Sequence, residues 1–125
     1  MKNLDQIRAR QALNFWANTR NEEIKGDNCA QILREVSFSL LNNGLLAAIA
    51  FARDKSSIDH RGGHEELVLE VGRYLASKER ALLPFPVHTT DDLVRGLTGH
   101  PSTLLQSATL EAVAYLGYLN RFRSR

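Results

Sequence analysis

Eight consecutive apolar residues, Leu45 to Ala52, stand between the pair Asn43-Gly44 and the charged exit Arg53-Asp54-Lys55. Such a run is too short to span a bilayer, which takes about 20 residues. It follows neither the alternation of a half-buried strand nor the one-sided spacing of an amphipathic helix. Its leucines and alanines favour helix, and β-branching is confined to Ile49. A helix apolar on every side must be covered on every side. The run therefore predicts a short central helix with longer amphipathic helices packed about it. Gly44 stands where a helix ending at Leu41 or Asn42 wants a left-handed residue, which glycine adopts at no Cβ cost.

The flanking segments supply those covering helices. Leu4 to about Arg20 reads as the first, with Asp5 complementing the dipole in its first turn. Ala9, Ala12, Leu13 and Trp16 form its apolar stripe, with Trp16 as a core anchor, Arg8 beside the stripe, and Arg10 and Arg20 off it. Asn21–Asn28 is a polar connection in which Asp27 or Asn28 can cap a second helix. That helix aligns Cys29, Ile32, Leu33, Val36 and Leu40 on one face and leaves Arg34 exposed. Asp54–Gly63 is the most loop-like stretch. A helix from His64 or Glu65 to about Lys78 turns Leu67, Val68, Val71, Tyr74 and Leu75 inward.

Pro84 and Pro86 break the chain. Thr89 then imitates a capping box with Asp92 and opens a short helix through Leu93, Val94 and Leu97, kept short by Gly96 and Gly99. Pro101–Arg123 is the longest helix, with a seam of Leu105, Ala108, Ala112, Tyr115, Leu119 and Phe122. Gly117 costs about 1 kcal/mol there relative to alanine unless it admits a neighbouring backbone. The fold class is all-α: one domain spanning residues 1–125, a bundle of about six helices around a short buried central one.

At 125 residues the chain can bury roughly two-thirds of its unfolded surface. No apolar stretch reaches membrane length, and Met1-Lys2-Asn3-Leu4-Asp5 lacks the apolar core of a signal peptide. The single Cys29 fits a reducing compartment, so a cytoplasmic protein is expected. His60 and His64 have the four-residue spacing of a helical zinc pair, with Glu65, Glu66, His88 and His100 as further possible ligands. Gly62-Gly63 lies between them, however, and removes that helix. No metal, cofactor or small-molecule ligand is expected. With no phosphate-cradling loop and no nucleophile elbow, catalysis is not expected either.

Base is the more informative content. Twelve of the sixteen basic residues are arginine, which grips phosphates bidentately, although the net charge is only +2. Arg53 and Lys55 leave the apolar run at its C-terminal end, and Arg121, Arg123 and Arg125 crown the last helix. Helix capping and ion pairs account for some of them. A phosphate-binding face that touches nucleic-acid backbone without reading bases is the functional alternative.

Three stretches together resemble one known family. Leu4-Asp5-Gln6-Ile7-Arg8-Ala9-Arg10-Gln11-Ala12 resembles its opening helix. Asn43-Gly44-Leu45 through Phe51-Ala52-Arg53-Asp54-Lys55 is similar to its glycine-led central helix. Thr109-Leu110-Glu111-Ala112 through Leu119-Asn120-Arg121-Phe122 is similar to its closing helix. The family is the small all-α subunit of the type III-B CRISPR effector, the Cmr complex.

The resemblance implies a non-catalytic structural subunit. Its copies stack in a filament beside the backbone subunits and line the channel where guide RNA pairs with target RNA. The implied partners are the other Cmr subunits, further copies of the chain and RNA backbone, with no membrane. By position Arg8, Arg53, Lys55 and Arg121 match basic residues of the family. Arg123 and Arg125 stand in for the second base that Asn120 replaces, and Arg34 joins the set as an exposed arginine. A protein-only helical adaptor, or the small subunit of the related type III-A complex, is the alternative.

Overall fold

The computed structural model describes residues 3–21, 24, 26, 28–59 and 62–123, apart from the side chains of Ile58 and Asp59. Among them the chain forms six helices and no strand: α1 Leu4–Asn18, α2 Cys29–Asn43, α3 Leu45–Asp59, α4 Gly63–Leu75, α5 Thr90–Thr98 and α6 Ser102–Arg121. The expected all-α bundle is observed.

α1 starts in a reciprocal cap. Asn3 Oδ1 accepts from the Gln6 amide and Gln6 Oε1 from the Asn3 amide, each at 2.9 Å. These bonds satisfy two donors that a helix start otherwise leaves open. The buried residues are Ala12, Phe15 and Trp16, whereas Leu13 is 53% exposed. The stripe is thus rotated from the expected Ala9–Leu13 line toward Arg8 and Phe15. The reason lies across the interface: Trp16 Nε1 donates to the Leu119 carbonyl of α6 at 2.9 Å, and Arg8 finds a carboxylate on the same helix.

In α2 the expected face of Cys29, Ile32, Leu33, Val36 and Leu40 is buried. Asn28 precedes it without a side-chain cap bond, and Asp27 lies outside the described residues. Gly44, with φ of 88°, ends α2 and starts α3 immediately. The expected short helix, wrapped on all sides, does not form here. α3 runs 15 residues to Asp59 and swallows most of the predicted loop. Leu45, Ala48, Ile49 and Ala52 are buried at helical spacing, while Ala50 is exposed and Phe51 half-buried. Alanine outside the core costs little, so an apolar run rich in it does not demand cover all round. Ser56, also buried, accepts the Glu65 amide at 3.0 Å and so caps the next helix.

The enclosed helix is α4. Nine of its 13 residues are buried, and it packs against α2, α3, α5 and α6. The five residues expected inward, Leu67, Val68, Val71, Tyr74 and Leu75, are all among them. Thr89 and Asp92 form the expected capping box of α5, with amide–side-chain bonds of 3.1 and 3.2 Å. Gly96 on α5 is needed for contact: a Cβ there would collide with the Phe85 ring from the Pro84–Pro86 segment. α6 closes the bundle with Ala108, Ala112, Tyr115 and Leu119 buried as expected, joined by Leu116. Leu105 is half-buried and Phe122 is 38% exposed beyond the helix end.

Two substitutions test this packing by urea unfolding. Ile49→Ala removes a side chain that is 1% exposed and should cost about 2–5 kcal/mol, more than Phe51→Ala. Gly96→Ala should destabilise by about 1–3 kcal/mol through displacement of Phe85, although alanine is the better helix former. A neutral Gly96→Ala would mean that Phe85 does not pack against α5.

Candidate nucleic-acid interface

The six basic residues expected to touch phosphate do not form one patch. Arg8 faces inward. Its Nε donates to Glu111 Oε2 and its Nη2 to Glu111 Oε1, both at 2.8 Å, the fork-to-fork geometry that arginine makes with a carboxylate. Its Nη1 reaches Asp5 at 3.3 Å. The Arg8 side chain is only 16% exposed, so its guanidinium is committed to the fold. Glu111 also accepts from Tyr74 Oη at 2.6 Å and from Arg80 Nη2 at 3.3 Å. Burial pushes the Glu111 carboxyl up, but the bonds from Arg8, Tyr74 and Arg80 outweigh it and lower its pKa to about 2.

Arg53 reaches solvent and pairs with Asp91 of α5 at 2.7 Å, both side chains about half exposed. An exposed pair of this kind is worth at most about 1 kcal/mol, so it yields readily to a competing phosphate. Lys55 is half-buried. The hydrogen bond from His64 holds the Glu35 carboxyl below its ordinary value, and the charge of Lys55 adds to that. Arg34 is exposed on α2. Arg121 is exposed and lies over the Tyr118 ring at 5.7 Å. Arg123 is half-buried beside the start of α2, where burial raises the Cys29 thiol and the Arg123 charge opposes the rise.

Three of the six therefore converge. Arg34 and Asn120 line one groove, which brings α2 to the end of α6 that carries Arg121 and Arg123. Arg125 lies outside the described residues. No side-chain hydrogen bond or ring contact joins Arg53 to this cluster among the described residues.

Sequence reasoning passed over other cations. Arg10, Arg20, Arg73 and Arg95 are exposed, without a hydrogen-bonded carboxylate among the described residues. Arg20 and Arg73 flank a polar cleft of about 480 Å³ between α1 and α4, with Asn14, Asn18, Glu66 and Glu70 in its walls. Arg10 and Arg20 were legible as lying off the apolar stripe. Arg73 required the cleft itself.

The histidines do not assemble. His64 is buried, with its Nε2 at 2.8 Å from Glu35 Oε1 and its ring edge-on to Phe51. His60 lies outside the described residues, and His100 sits against the Phe85 ring. Among the described residues no three His, Cys, Asp or Glu side chains are grouped to hold a metal ion. No described helix is long and apolar enough to cross a membrane.

The fold and surface define a small all-α subunit-like domain with arginines distributed over several helices. A family model, CRISPR-associated protein (Cas_Cmr5), matches residues 4–124, nearly the whole chain. The chain belongs to this family and is a small subunit of the type III-B Cmr complex. No curated protein and no solved structure gives a significant match.

The Arg8–Glu111 pair supplies a test by pH. Glu111 falls from an ordinary 4.5 to about 2 in the fold, so its contribution is complete above about 4.5 and lost as pH drops toward 2. Glu111→Gln leaves Arg8 buried without its countercharge and should cost about 3–5 kcal/mol at pH 7. The loss should shrink in urea melts taken through that acid range. A penalty independent of pH would mean that Glu111 acts through shape alone.

Proposed function

We propose that this chain is a non-catalytic, RNA-contacting subunit of the Cmr effector in the cytoplasm, serving antiviral defence. Copies of it stack beside the backbone subunits and line the channel that holds guide and target RNA. The supporting observation is a set of solvent-facing arginines, unpaired or only weakly paired with carboxylates, on a chain of the Cmr5 family. Phosphate is the natural partner of such guanidiniums, and contact through phosphate ignores sequence. The proposed contacts are Arg53, Lys55, Arg121 and Arg123, with Arg8 withdrawn into the fold. One copy offers few contacts and should bind RNA weakly, in the roughly 10⁻⁴–10⁻⁶ M range of non-specific association. Stacked copies gain by effective concentration without new contacts.

The test is a salt titration of target-RNA binding by the assembled complex on two unrelated guide–target pairs. Arg53→Glu/Arg121→Glu should fold normally, weaken both pairs alike and reduce the salt slope by roughly 0.7–0.9 per lost contact. An unchanged slope would favour an adaptor that binds protein only.

The purified chain should leave single-stranded and duplex RNA intact with or without divalent metal. Cleavage abolished by His64→Ala in a variant that still melts cooperatively would refute the non-catalytic reading.

A further inference from the structure

α2 and α6 pack together and leave between them an outward-facing groove of about 410 Å³. Phe38 and Leu41 of α2 and Val113, Leu116 and Gly117 of α6 line it. Phe38 is 68% exposed, Leu41 67%, and Leu110, one turn before Val113, 74%. Single exposed apolar residues are ordinary, but here they align. Arg34, Phe38 and Leu41 run down one helix and Leu110, Val113 and Gly117 down the other, each at helical spacing. A Cβ on Gly117 would meet no atom within 4 Å, so this glycine opens the groove instead of admitting a neighbour of its own bundle.

Charge selects the occupant. Among the described residues lining the groove, Arg34 is the one with a formal charge, and none is a carboxylate. Arg121 follows the lining residue Asn120, so the adjoining rim is cationic as well. A two-fold pairing of copies through this groove would repeat the patch on both sides and bring Arg34 toward Arg34. Like charges brought together at an interface oppose association. We infer that the groove receives an amphipathic helix from a different subunit of the complex, which inserts a large apolar side chain between Phe38 and Leu116. A carboxylate about one turn away meets Arg34. The inference rests on membership of the Cmr complex and is independent of the RNA contacts. It moves Arg34 from phosphate to protein recognition.

The experiment uses a complex assembled from the other Cmr subunits without this one. The chain, labelled at its N-terminus, is titrated against it by fluorescence anisotropy. Leu41→Asp and Phe38→Asp should each weaken docking about tenfold or more, as loss of a central apolar anchor does. Both positions are exposed, so thermal melts should match wild type. Arg34→Glu should also weaken docking and leave the salt slope of RNA binding unchanged, whereas Arg53→Glu should dock normally.

Wild-type docking by all three groove variants would overturn the inference. So would an Arg34→Glu variant that docks normally but binds RNA with a shallower salt slope. Self-association of the free chain that Leu41→Asp abolishes would assign the groove to a second copy and overturn it too. Failure of the wild-type chain to dock at all would instead sink the complex-subunit reading. If Leu41→Asp does not fold, Phe38→Asp and Arg34→Glu decide the matter.

Discussion

Two tyrosines and two glutamates set how α4 meets α6. Tyr74 of α4 donates to Glu111 of α6 at 2.6 Å, and Tyr115 of α6 donates to Glu70 of α4 at 2.7 Å. Between these bonds the two rings stack, with centroids 4.0 Å apart and planes 11° from parallel. The arrangement is reciprocal, so sliding one helix by a turn breaks both bonds and the stack together. Apolar contact is non-directional and tolerates such slips. Buried hydrogen bonds do not, because each orphaned group costs about 1–3 kcal/mol or more when charged. Arg8 then ties α1 to the same carboxylate, and Arg80 ties in the turn after α4. Four donors thus reach Glu111 from three separate parts of the chain.

The two glutamates occupy unlike environments. Arg8 and Arg80 surround Glu111 with positive charge, which overcomes burial and keeps it ionised. Glu70 has Tyr115 and Gln11 as neutral donors, and burial dominates there and raises its pKa. Of the two, Glu111 bears the structural charge, while Glu70 acts chiefly as an acceptor beside a polar cleft. The division explains why Arg8 is internal. A buried carboxylate on α6 without a guanidinium would be far costlier than a surface arginine forgone.

Legibility in the sequence tracked the range of the interaction. Caps, glycine stops and single-helix stripes are local, and the boxes at Asn3–Gln6 and Thr89–Asp92 or the inward face of α4 could be read directly. Failures came where a partner far along the chain decides. The α1 stripe turned because Glu111 and Leu119, each 103 residues from its α1 partner, were waiting for Arg8 and Trp16. α3 continued past its charges because Ser56 is used inside the bundle to cap α4. For the cations the same limit applies: a sequence shows an arginine but not its countercharge. Arg8 and Arg53 look equivalent on paper, and only the second remains at the surface.

What the fold leaves outside is correspondingly informative. With Arg8 and Arg80 absorbed by Glu111, the exposed arginines lie on α1, α2, α3, α4, α5 and α6 without converging in a single enclosed site. A small ligand is recognised by convergent polar groups in a concavity. An extended polyanion asks only for positive charge at intervals, and a scattered set satisfies that requirement. Apolar exposure behaves differently, for Phe38, Leu41 and Leu110 gather along one groove. Dispersed charge with concentrated apolar surface is the division expected when phosphate gives sequence-independent hold and one protein partner gives orientation. On this argument the groove fixes how each copy is presented, and the arginines act only once that presentation is set.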